Sequence, residues 1–469
     1  MNERPALLPL ALLGLLGLGA FAGACRGSDD DGTAIDSALR PVERKMVGAA
    51  RPYPADPALR AQTETLKTSI KARRAAAWKA VAKVLEPVSL AEPGVKIDGK
   101  STLPLFRTWY GKDDFERMFA KAYGEMKPAD RTVRRNFTAA ELDRGLAFNA
   151  ADQGSWTDDD YLTRVEGVKD GPSLQGLGGN SRVSYSPGFV RHMLGNYASI
   201  DACLPKVGTF AADAEPKAGN FAPCYDAEFP IDAAVMKASW WRADFGMKLA
   251  TYDTSAKTLA VKREGTDADH GGWGKGTGEA TPDAAQIYTV TTSDGSSFRM
   301  PGLHLATKEL RDWMWITLFW SPDPDSDFGA DRPQAIKDLG GPWKNYKMCV
   351  VTSYDEGDPD PRGGFAGSLG DALAAMHEGK GGATWCSNAY IEKGEKNAQT
   401  NCIGCHQHGG LPGLSSEVIL RDEAKFPKAG RTKIRKNFPS DYAWGFDFAP
   451  EFLARSIAAQ VEHFDGIDR

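Results

Sequence analysis

The sequence predicts an α+β protein with a mainly helical region over 56–224, a β-rich, antiparallel sandwich-like domain over 225–355, and a small helical segment over 356–469. Three features point there. "DPALRAQTETLKTSIKARRAAAWKAVAKVLEP" (56–87) is rich in Ala, Lys, Arg and Leu and stops at Pro87, as a helix does. From about residue 230, short runs rich in Val, Ile, Thr, Tyr and Trp replace that pattern. Near the C-terminal end, "NCIGCHQH" places Cys402, Cys405 and His406 on one helical turn.

The chain opens MNERPALLPLALLGLLGLGAFAGACRG. A short start bearing Arg4, an apolar run from Ala6 to Ala24 and small residues before Cys25 have the design of an export signal. Ala22-Gly23-Ala24-Cys25 resembles the lipobox of bacterial lipoproteins, which implies a lipid on Cys25; the family usually has Leu where this chain has Ala22. An uncleaved anchor and an ordinary cleaved signal are the alternatives. Each places the rest of the chain outside the cytoplasm. Residues 1–25 are thus read as the signal and 26–55 as a polar tether. The formal net charge of −5 argues against nucleic acid as partner, since phosphate-binding surfaces are normally basic.

Beyond the first helix, helical patterns recur at 112–126, 138–150 and 187–198. The second of these is entered by Thr138 with Glu141 three residues on, a capping box. Strands are expected at 233–241, 247–253, 258–263, 286–292, 297–306, 312–320 and 346–354. Asp294-Gly295 signals a hairpin between two of them. In "RDWMWITLFW", Trp313, Trp315, Thr317 and Phe319 share one face and Met314, Ile316, Leu318 and Trp320 the other, so this strand lies between two packed layers. The Gly-rich stretch 265–284 lacks a phosphate-loop pattern and reads as a surface loop. Asp323, Asp325 and Asp327 alternate as in a calcium loop, but Gln334 stands where an EF-hand needs Glu, and a solvated turn is expected.

Seven cysteines divide into one for lipid, two in the motif and four others. In an oxidising compartment the four, Cys203, Cys224, Cys349 and Cys386, are expected to pair. Cys203–Cys224 and Cys349–Cys386 close the shorter loops. A buried free thiol is the alternative.

Covalent haem attachment needs two thiols on one helical turn to form thioethers, and an adjacent His to supply the proximal nitrogen to the iron; Cys402, Cys405 and His406 meet each need. A zinc site would draw on Cys386, Cys402, Cys405 and His406 or His408. A redox dithiol would want a strand-to-helix context with an aromatic before the first Cys, where Thr400-Asn401 stand. Haem is the reading that fits best, which makes 356–469 a haem-binding segment closed by the amphipathic helix 449–465. Lys425, Lys428, Arg431, Lys433, Arg435 and Lys436 lie between, either as partners for haem propionates or an acidic redox protein, or as a solvated basic face.

"LPLFRTWYGKDDFE" (103–116), "MKASWW" (236–241), "PGLHLATKELRDWMWIT" (301–317), "PWKNY" (342–346) and "TNCIGCH" (400–406) resemble a group of bacterial monohaem c-type cytochromes with one C-terminal attachment motif. The resemblance implies one covalent haem c with its iron, electron transfer and a redox partner protein, and offers no substrate. The expectation is a membrane-tethered electron carrier on the periplasmic side of a bacterial membrane. Its rivals are a haem enzyme with an open iron position and a β-rich binding module that the haem stabilises.

For the sixth iron ligand the last Met is Met376, so a downstream Met is ruled out. His408 follows His406 too closely, and His463 sits on a terminal helix. Met300, His304, Met376 and His377 remain upstream. His304 is the expected ligand because a strand would hold it rigidly on the iron; a hydrogen-bonded sheet histidine is the alternative.

Overall fold

The computed structural model describes residues 49–90, 93–94, 96, 99–111, 136–146, 180–196, 198–199, 228–244, 246–260, 273, 276–291, 297–352, 357, 366–377, 385–392, 402–407 and 441. The fold is mixed α/β, with antiparallel sheets and a few helices. Its centre is a seven-stranded antiparallel sheet. Along it run β11 (Tyr346–Val351), β10 (Met314–Trp320), β9 (Ser297–Thr307), β5 (Ala234–Arg242), β4 (Asn180–Tyr185) and β3 (Tyr110–Gly111), and β8 (Thr289–Thr291) pairs with the start of β9. Two small pairs stand apart from it: β1 (Pro87–Ser89) with β2 (Thr102–Pro104), and β6 (Leu249–Thr251) with β7 (Gly278–Ala280).

The long N-terminal helical stretch is broken into three pieces. A 3₁₀ turn covers Pro57–Gln62, α1 covers Thr63–Thr68 and α2 covers Ile70–Leu85. Ser69 explains the second break, because its extended backbone ends α1 and its hydroxyl accepts from Ala72 N at 3.2 Å to start α2. Arg73 then reaches back to the carbonyls of Leu66 (2.9 Å) and Lys67 (3.0 Å), which α1 leaves without helical partners. Ala76, Ala77, Ala80, Val81 and Val84 are buried, and small residues let α2 lie close on the sheet. Arg74 ties it to β11 through Met348 O at 2.6 Å.

The alternation read in β10 holds, with every residue of the strand buried. Strand register gives each face its residues, because directly opposed positions in an antiparallel pair point the same way. Lys237 opposes His304, His304 opposes Thr317, and Thr317 opposes Cys349. Val235, Ala306, Trp315 and Val351 form the adjacent row of the same face.

Three expectations change. Residues 258–263 do not begin a strand: α5 runs Ala256–Ala260, capped by Ser255 accepting from Thr258 N at 3.2 Å, with Leu259 as its buried anchor. Asp253 reinforces that start by accepting from Thr258 Oγ1. The main sheet also recruits β3 and β4 from the part read as mainly helical. Opposite it, among the described residues, lies no second large sheet but α2 on one face and short segments on the other. Helices α3 (Ala139–Leu146) and α4 (Pro187–Gly195) form where expected. Thr138 and Glu141 make the reciprocal cap (Thr138 N to Glu141 Oε2, 2.7 Å; Glu141 N to Thr138 Oγ1, 3.3 Å). β8 and β9 pair antiparallel, Thr291 opposite Ser297, as a hairpin requires. The helix expected at 112–126 and the turn residues 294–295 lie outside the described residues. So do the signal, Cys25, Cys203, Cys224, His408, the basic cluster 425–436 and the helix expected at 449–465. Among the described residues no helix is long and apolar enough to cross a membrane.

Candidate functional site

The helix Cys402–His406 is a single turn. Ile403 is buried in the core and seats it, with Cys402 packed at the core's margin. A helical turn puts residues three apart on one side, so Cys402 and Cys405 share a face along the backbone. The side chain of Cys405 lies outside the described residues. His406 is half-buried and lies over Trp315, ring centroids 4.1 Å apart at 40°. Trp315 is held by its own hydrogen bond, Nε1 to Asp312 O at 3.0 Å, and abuts Trp313 at 6.1 Å.

His304 lies on β9 on that same sheet face, one row from Trp315. Burial, with the Lys237 ammonium opposite, pushes its imidazole down to about 3. The ring is therefore neutral, the form that can ligate a metal. Its Nε2 is buried and stands 3.2 Å from Glu392 Oε1 without the alignment of a hydrogen bond. The contact joins a neutral ring to a carboxylate and is not a true ion pair.

The segment 385–392 brings Glu392 there. Cys386 is bonded to Cys349 on β11, with Cα atoms 5.8 Å apart, as the shorter-loop pairing anticipates. Asn388 then locks onto the sheet: its Nδ2 donates to Thr317 Oγ1 (2.9 Å) and Leu318 O (2.7 Å). Its Oδ1 accepts from Tyr390 N (2.9 Å) and Ile391 N (3.1 Å), making an Asx turn. Glu392 closes that turn by accepting from Asn388 N at 2.8 Å. Trp273 Nε1 donates to Ser387 O at 2.9 Å, and Tyr390 packs edge-on against Trp241 and Tyr252. Gly302, opposite Phe319 on β9, has no Cβ, and one placed there would meet Asn388 Oδ1 at 2.6 Å.

A second buried cluster borders the first through Trp313. Lys308 Nζ pairs with Asp441 Oδ1 at 2.7 Å, both fully enclosed, and with Glu228 at 3.2 Å. Trp313 Nε1 donates to Asp441 O at 2.9 Å. Trp313 itself has φ 64, a backbone state that costs a non-glycine residue about 1–3 kcal/mol and is held here by these contacts. Burial raises Asp441 to about 6 although Lys308 pulls it down. His192, in ring contact with Phe229 at 4.1 Å, is pushed down to about 3 by burial and then by Lys308.

Of the other candidate ligands, Met300 is fully buried in the core, and the side chains of Met376 and His377 at the end of the helix Leu369–His377 lie outside the described residues. His463 does too. The zinc alternative loses Cys386 to the disulfide, and among the described residues no three His, Cys, Asp or Glu side chains gather as a metal would require. The Asp323–Asp327 turn engages cations of the protein: Asp325 binds Arg332 at 2.7 Å and Asp327 faces Lys347 at 4.0 Å. Glu392 and Asn388 carry no local motif that would single them out, and the strand pattern around Trp315 gives no sign of its partner His406.

Compared with protein families, with curated proteins and with solved structures, the chain matches none.

Proposed function

We propose that this protein is an exported, membrane-tethered c-type cytochrome with one covalent haem, passing single electrons to and from a redox partner protein. In this reading Cys402 and Cys405 would hold the haem by thioethers, and His406 and His304 would supply its two imidazoles. The region 356–469 is the haem segment, and Cys25 carries the lipid on the periplasmic side. When bound, the haem iron would supply one-electron redox chemistry, and the chain would orient it.

One observation carries the reading. The turn bearing the attachment motif lies against the same sheet face as His304, a neutral histidine held on a strand. The motif would supply two sulfurs to the porphyrin and one imidazole to its iron, and a rigid strand would supply a second imidazole. Two protein ligands suit electron transfer, because the coordination sphere then need not change with the oxidation state. A second reading is favoured by Glu392 beside His304. A carboxylate-oriented imidazole facing an open iron position would move protons for a haem enzyme acting on peroxide or a small oxidisable substrate.

The test uses full-length protein made with an intact haem-maturation system. Denatured, delipidated protein is expected to retain haem, and Cys402→Ala with Cys405→Ala to lose it. Wild type without covalent haem overturns the reading. The folded protein is expected to be low-spin and indifferent to carbon monoxide, and His304→Ala high-spin and able to bind it. Wild type that binds carbon monoxide readily transfers the conclusion to the haem enzyme.

A further inference from the structure

We infer that the Cys349–Cys386 disulfide sorts the thiols around the attachment motif: Cys349 holds Cys386, which would otherwise pair with Cys402 or Cys405. The consequence for haem rests on the reading above and deepens it.

Chain length alone favours the wrong pairing. Cys386 stands 16 residues before Cys402 and 19 before Cys405, but 37 after Cys349. Closure becomes rarer as the 3/2 power of loop length, so an unfolded chain brings 386 to 402 about three to four times as often as to 349. Folding does not carry the motif away. On the central sheet Cys349 opposes Thr317, and Trp315 with Val351 forms the next row of the same face. His406 lies on Trp315 at 4.1 Å, so the disulfide and the motif turn are neighbours on one face. Such rows are about 7 Å apart, little more than the Cα span of a disulfide.

Contacts beside Cys386 decide the choice. Asn388 Nδ2 donates to Thr317 Oγ1 (2.9 Å) and Leu318 O (2.7 Å), and Trp273 Nε1 donates to Ser387 O (2.9 Å). Gly302 leaves the room for this, since a Cβ there would meet Asn388 Oδ1 at 2.6 Å. These bonds seat residues 387 and 388 next to the row that holds Cys349, and Cys386 meets it with Cα atoms 5.8 Å apart. Once joined, Cys349 and Cys386 are 1 % and 5 % exposed, which shields both sulfurs from a third thiolate.

Disulfide formation takes two protons and two electrons from a pair of thiols and passes them to a disulfide oxidant of the exported compartment, which becomes a dithiol. A thioether forms instead when S–H adds across a carbon–carbon double bond, with no electron exchanged. Cys402 or Cys405 bonded to Cys386 has no S–H to add, and attachment fails at that sulfur.

The test compares full-length wild type, Cys349→Ala, and Cys349→Ala with Cys386→Ala, each made with an intact haem-maturation system. Both variants lose the disulfide and its stabilisation alike, but only the single one leaves a Cys386 thiol beside the motif. That thiol is tethered at an effective concentration on the order of millimolar, and the single variant is expected to carry about tenfold less covalent haem than the double. Peptide mapping without reductant is expected to find Cys386 joined to Cys402 or Cys405 in the single variant. With haem on the wild type, equal haem in the two variants, high or low, overturns the inference, and so does a Cys349→Ala chain lacking that cross-link. Wild type without covalent haem fails the haem reading alone; the cross-link in the same samples still decides whether Cys349 keeps Cys386 from the motif.

Discussion

His406 rests on Trp315, ring centroids 4.1 Å apart, and this contact joins the motif turn to the central sheet. A turn of five residues has too few hydrogen bonds to be stable alone, so its position depends on Ile403 and on this ring contact. Replacing Trp315 by Leu removes an aromatic pair of about 0.5–1.5 kcal/mol beyond its buried area. Amide hydrogen exchange of 402–407 is expected to accelerate about tenfold, with the amides of β9 and β11 unchanged. Equal acceleration throughout the sheet would show that Trp315 serves the core rather than the motif.

Gly302 and Asn388 should behave as a coupled pair. Gly302→Ala forces a Cβ to 2.6 Å from Asn388 Oδ1 and displaces an amide that donates to Thr317 and Leu318. A loss of about 2–4 kcal/mol in urea unfolding is expected, from overpacking and from buried groups left without partners. Adding Asn388→Ala should recover part of that loss, since the clash disappears with the amide. Additive losses would count against the contact. Peptide mapping without reductant should find Cys349 linked to Cys386, and removing both thiols should lower stability by about 2–4 kcal/mol.

His192 and Asp441 should give stability opposite dependences on pH. His192 is held near 3 in the fold against an ordinary 6.5, so between those values the unfolded chain binds more protons and stability falls as pH falls. Asp441 is held near 6 against 3.8, so between about 4 and 6 the folded chain binds more protons and stability falls as pH rises. Each slope approaches about 1.4 kcal/mol per pH unit, and between 4 and 6 they oppose each other. Relative to wild type, His192→Gln is expected to lose stability with rising pH in that window, and Asp441→Asn to lose it with falling pH. Lys308 and Glu228 share the cluster, so the comparison is made at fixed ionic strength by urea unfolding from pH 4 to 7. Parallel curves for all three proteins would remove the assignment.

The motif Cys402-Ile403-Gly404-Cys405-His406, the two-faced strand from Met314 to Trp320, the Thr138–Glu141 cap and the pairing of Cys349 with Cys386 were all legible in the residues themselves. Each depends on short-range spacing, a period of two or an even count, and local chemistry is enough to read these. Residues 258–263 misled because Thr and Val suit a strand, while Ser255 and Asp253 supply a cap whose strength depends on where the chain turns. Strands β1 to β4 escaped because they are short or lie among helical patterns, and what makes them strands is a neighbour supplied by a distant part of the chain. His304 was legible as a strand residue, but its burial was not, nor Lys237 and Thr317 on either side, nor Glu392 at its Nε2. Those belong to register and to a disulfide-anchored turn, which bring together side chains that no periodicity relates. Which side chains are reactive could be read from the residues alone, because reactivity belongs to the residue type and its immediate spacing. Which of them meet is a matter of folding, because burial and pairing across a sheet depend on contacts between segments far apart in the chain.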